Sequence, residues 1–141
     1  MQKLILIFIS IFFVIGCVAT TNQFGNIYNE AVAGGKSLTI IKDNDFQVIQ
    51  SNVNKYLSSL GYRKVFYSSP EEGFWVLVKD IPIIKAMLIG DAYPYKIILK
   101  YTKADLRQTR IDLVNGSQNL FCRNEVTQDI QKIAELIRAD Q

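Results

Sequence analysis

Histidine is absent from this 141-residue chain, and cysteine occurs only twice, at Cys17 and Cys122. The first absence removes the commonest metal ligand and the side chain most used for proton transfer near neutral pH. It also leaves Cys122 without the base that activates a catalytic thiolate. The 13 carboxylates are scattered, with no oxygen-rich loop of calcium type. No metal, cofactor or catalytic residue is expected, and the chain reads as a non-enzyme. A charge excess of one sign is also missing, since 16 basic residues face 13 acidic ones. So small a surplus argues against nucleic acid as a partner.

Three fragments imitate functional motifs without their context. Gly34-Gly35-Lys36-Ser37 ends like a phosphate-binding loop, but Glu30 holds the place of the required glycine and no buried strand precedes it. Glu71-Glu72 lies between Pro70 and Gly73. It reads as a solvated turn rather than a catalytic pair, because adjacent residues of an extended chain face opposite ways. Asn115-Gly116-Ser117 fits a glycosylation acceptor, yet Asn-Gly is first of all a turn signal.

What the chain does have is concentrated at its start. Lys3 precedes a nearly unbroken apolar run from Leu4 to Ile15, which ends on Gly16-Cys17. Charge, apolar core and small-residue cut are the layout of a secretory signal. As a helix the run covers about 18–20 Å, well short of the ~30 Å hydrocarbon core of a bilayer. Val14-Ile15-Gly16-Cys17 resembles a bacterial lipobox, a resemblance confined to the first 17 residues. It implies cleavage between Gly16 and Cys17 and attachment of palmitate-type lipid through the Cys17 sulfur, which makes the membrane a partner. Ordinary secretion with a cut near Ala19 and an uncleaved anchor are the alternatives. Val18 follows the lipid-bearing position, where aspartate commonly retains lipoproteins in the inner membrane. The resemblance therefore implies the periplasmic face of the outer membrane, if the source has two membranes. With Cys17 acylated, Cys122 has no partner in the chain and is expected to be buried.

The chain divides into a signal peptide (1–16), a lipidated flexible tether (17–36) and one domain (37–141). The tether expectation rests on a run of Ala, Thr, Asn, Gln and Gly that cannot bury enough surface to fold alone. Phe24, Ile27 and Tyr28 interrupt it and can dock on the domain or on a partner. Within the domain, Phe46, Ile49, Val53, Tyr56, Leu57 and Leu60 recur at helical spacing, with Asp43 or Asp45 to cap the start and Gly61 to end it. Strands follow over 62–67 and 74–79, then 93–102 and 107–114. Residues 116–121 form a short fifth strand or a loop. A last helix runs over 125–139, capped by Asn124. The joint solution is an α+β two-layer sandwich in the order α-β-β-β-β-α. It has a four-stranded antiparallel sheet, five if 116–121 joins, and two helices on one face.

Two surfaces invite a functional reading. Between Pro82 and Gly90, the segment Ile83, Ile84, Met87, Leu88, Ile89 is apolar nearly all round, with Lys85 its one charge. It either tucks against the sheet or covers its open edge, or it stands exposed as a site for another protein or for lipid. On the outer sheet face, Lys96, Lys100 and Arg110, with Asp112 nearby, are either solvated or a weak site for an anionic partner. These features point to a non-enzymatic envelope lipoprotein, a structural, assembly or protein-interaction module that meets another envelope protein. The alternative is a binding module for a lipidic or glycan ligand, with a groove between the 81–90 segment and the sheet.

Overall fold

The computed structural model describes residues 23–140; Gly16 and Cys17, with the rest of the first 22 residues, lie outside them. Among the described residues four helices and five strands follow in the order α1 (23–33), β1 (Leu38–Asp43), α2 (Phe46–Ser59), β2 (Tyr62–Tyr67), β3 (Phe74–Lys79), α3 (Ile83–Ile89), β4 (Lys96–Asp105), β5 (Gln108–Asn115) and α4 (Leu120–Ala139). The strands form one antiparallel sheet in the order β1-β5-β4-β3-β2. The class is α+β, as expected. The fifth strand is β1, before α2, while residues 116–119 form a loop.

The main core forms where α2 and α4 cover one sheet face together. Ile49, Val53 and Leu57 supply the stripe of α2, and Val126, Ile130, Ile133 and Ile137 that of α4. They meet Leu77, Ile97, Leu99, Ile111 and Leu113 from the strands. The helix ends follow local chemistry. The Asp45 carboxylate accepts from the Gln47 N–H at 2.8 Å, and Gly61 beyond the last turn has φ +86°. The final helix starts earlier than expected. Asn119, not Asn124, caps it by accepting from the Phe121 N–H at 2.9 Å.

The opposite sheet face departs from the expected half-wet surface. Phe74, Val76, Ile98 and Val114 are buried there beneath Phe24, Ile27, Tyr28 and Ala31 of α1. Those four α1 residues follow helical spacing, so 23–33 is an amphipathic helix rather than part of a loose tether. Helices therefore lie on both faces, and the described residues form three layers instead of two.

One buried carboxylate pins α1 in place. Asp112 accepts from Tyr28 Oη at 2.9 Å, Thr39 Oγ1 at 2.6 Å and Arg110 Nε at 3.0 and 3.1 Å. Burial pushes the Tyr28 phenol above its usual range, and the hydrogen bond and charge of Asp112 add to the shift. Tyr62 is pushed up in the same direction by burial and then by Asp129, and Tyr101 by burial alone. The neutral phenols favour the folded state, so this contribution is intact below about pH 10, where unfolded tyrosine titrates. It is lost as pH rises beyond that. Urea midpoints are expected to hold between about pH 8 and 9.5 and to fall by about pH 11.5. Equal midpoints at the two ends of that range would contradict the assignment.

Candidate functional site

The site begins where β3 ends. At Asp80 the chain leaves the sheet, and it returns as β4 opens at Lys96. Pro82 occupies the cap position of α3, where its fixed φ suits a helix start and its missing N–H costs nothing. Gly90 closes the helix in the left-handed region at φ +73°, with its N–H on the Ala86 carbonyl at 2.9 Å.

The seven residues between form a helix with no fully buried side chain. Ile83 is 77%, Ile84 75%, Met87 77% and Leu88 84% exposed. A helix apolar all round is ordinarily buried; this one is not. Ile89 and Ile81 alone of the segment's large apolar residues pack against the main core. The open alternative is thereby resolved towards exposure, and Ile83, Ile84, Met87 and Leu88 form an aliphatic ledge.

The roots of the ledge are held at three points. Arg63 clamps Asp80 with two bonds, Nε to Oδ2 at 2.7 Å and Nη2 to Oδ1 at 2.8 Å, and its guanidinium lies 5.7 Å from the Tyr93 ring centre. Those hydrogen bonds hold the Asp80 carboxyl below the usual carboxylate range. Exposed pairs of this kind add little stability, so the bidentate geometry matters more than the energy. On the return side Asp91 accepts from Lys96 Nζ at 2.8 Å and from the Tyr93 N–H at 2.9 Å. Burial pushes Asp91 up, but these donors hold it below its ordinary range.

The third hold is Lys85, whose Nζ donates to Tyr95 Oη at 3.2 Å. Tyr95 is buried, which raises its pKa; Lys85 opposes the shift, while Glu125 and Cys122 reinforce it. Tyr95 and Cys122 are both part of the main core. Leu120 and Phe121, in the first turn of α4, are 73% and 89% exposed. Cys122 is a free, buried thiol.

The second candidate surface is corrected. Lys96, Lys100 and Arg110 do share a sheet face, but it is the face that α1 covers. Lys96 is paired with Asp91 and Arg110 with Asp112, while Lys100 Nζ sits 5.3 Å from the Tyr28 ring centre. These charges are engaged within the chain and do not form a free anion-binding face. The helix that sequence reading missed is what engages them.

A cleft of about 320 Å³ opens on the α1 side, lined chiefly by Phe24, Val65, Phe66, Val76, Val78 and Tyr93, together with Lys96. It is not the expected groove, since no residue of α3 lines it. Gly34-Gly35-Lys36-Ser37 connects α1 to a strand, not a strand to a helix, so it has no phosphate-loop geometry. Among the described residues no group of three or more acidic or cysteine side chains could hold a metal ion. None of their helices is long and apolar enough to cross a membrane. Compared with protein-family models and with curated proteins, the chain matches none.

Proposed function

We propose that this chain is a bacterial envelope lipoprotein, moored by acyl groups on Cys17, whose domain works without catalysis by contact with other envelope components. The observation that carries the contact reading is the α3 ledge. Four large aliphatic side chains stand three-quarters or more exposed on a helix whose roots are fixed by Arg63–Asp80, Lys96–Asp91 and Lys85–Tyr95. Monomeric soluble domains seldom keep such a patch unless it binds something. The mooring reading rests on Lys3, the apolar run and the lipobox-like Val14-Ile15-Gly16-Cys17. Its sorting residue, Val18, favours the periplasmic face of an outer membrane.

Cys17→Ser tests the mooring in living cells fed a labelled fatty acid. The wild-type chain is expected to take up label, and the variant to lose it and keep residues 1–16. Equal labelling of both would overturn the assignment of Cys17.

A second reading is favoured by the cleft beside Phe24. Its volume and apolar lining suit part of a lipid chain. A lipid retained in protein purified from its own membranes, and lost in Val65→Trp, would support a binding module. A dry cleft in that material argues against it.

A further inference from the structure

We infer that α3 is the domain's second membrane contact, with Ile83, Ile84, Met87 and Leu88 seated in the headgroup–acyl boundary of the bilayer that holds Cys17. The inference rests on the proposed mooring for proximity and on the chemistry of the ledge for its occupant.

Proximity follows from chain length. Six peptide steps separate Cys17 from residue 23, and six extended residues reach about 20 Å at most. From residue 23 onward the described chain is helical, and Phe24 already packs on the sheet. The domain itself is therefore leashed to the surface, with no long tether to carry it away. A seven-residue helix is about 10 Å long, and apolar helix faces at membranes sink about 5–10 Å into the boundary region.

The ledge chemistry selects acyl chains over protein. Anchors of protein interfaces are enriched in Trp, Tyr and Arg, which bring hydrogen bonds and directional packing. Ile83, Ile84, Met87 and Leu88 bring neither, only flexible apolar area. The charges at the roots of the ledge are paired within the chain, Lys85 with Tyr95, Asp80 with Arg63 and Asp91 with Lys96, so the surface it presents is aliphatic.

Full-length Leu88→Trp, purified in acylated form from its own membranes and reconstituted in phosphatidylcholine–phosphatidylglycerol vesicles, tests the placement. Its new indole is expected to emit further to the blue than in detergent-free water and to be quenched by lipids brominated high in the acyl chain. Trp75, the one native tryptophan, reports the background in wild type and is expected to stay unquenched. Adding Ile84→Asp should abolish the quenching while leaving the thermal midpoint unchanged, because both side chains are exposed. Water-like, unquenched emission overturns the inference. So does crosslinking of α3 to a second copy, or quenching that appears only after a co-purified protein is stripped away. Fatty-acid label on the same preparation separates the two claims. Label without quenching leaves the mooring and removes the α3 contact; quenching without label does the reverse.

Discussion

Phe74→Ala is expected to lower stability by about 3–5 kcal/mol and to loosen α1 from the sheet. Phe74 is 2% exposed and belongs to the smaller of the two cores, where Val76, Ile98 and Val114 are its buried companions. Its ring stacks on Tyr28, with centroids 6.2 Å apart and planes within 14°. Truncation removes the transfer energy of the ring and leaves a space that the rigid sheet cannot close. The loss falls on the face that α1 covers. Urea unfolding is expected to show the reduced stability, and amide exchange over 23–33 to accelerate more than exchange in α4. A cost below about 1 kcal/mol, with α1 still protected, would mean that this face does not hold the helix.

Asp112→Ala is expected to cost about 3 kcal/mol, by stranding donors rather than by opening a cavity. Tyr28 Oη and Thr39 Oγ1 both lose their acceptor, and the partly exposed Arg110 loses its ion pair. Asp112→Asn keeps the shape and one acceptor, so it should fall between wild type and alanine. A cycle with Tyr28→Phe isolates the bond between α1 and the sheet. Coupling of roughly 1 kcal/mol is expected, and none would show that Asp112 acts only within the strands.

Much of the main core was legible in the sequence because each element there has one apolar and one polar face. The strands 62–67 and 74–79 match the observed bounds, and the Ile49-Val53-Leu57 stripe reports its own burial. The smaller core was not legible for a physical reason. Phe24, Ile27, Tyr28 and Ala31 are thinly spread among Gly, Asn and Glu, so composition reads as a tether while the helical spacing is easily passed over. β1 escaped for a related reason: Leu38-Thr39-Ile40-Ile41 is a short edge strand beside Gly34-Gly35, and Ile41 is 59% exposed. Early recognition of α1 would also have shown that Arg110 faces a covering helix instead of solvent.

The first turn of α4 was hidden differently. Leu120 and Phe121 are exposed, so the buried stripe that marks the helix starts only at Cys122. The ledge was legible as a helix, from Pro82 and Gly90, but not as a surface. With no polar face to orient it, the apolar run was equally consistent with burial. Its exposure depends on how the Arg63–Asp80 and Lys96–Asp91 pairs hold the excursion, and neither pairing is written in the apolar pattern of the segment itself.

Mass measurement of the N-terminal peptide, on protein extracted from its native membranes, bears most directly on the whole account. A first residue at position 17 with acyl-bearing lipid on its sulfur is the predicted result. A bare thiol there, or a peptide that still carries the apolar leader, would contradict it, and the proposed envelope address would fall at the same time.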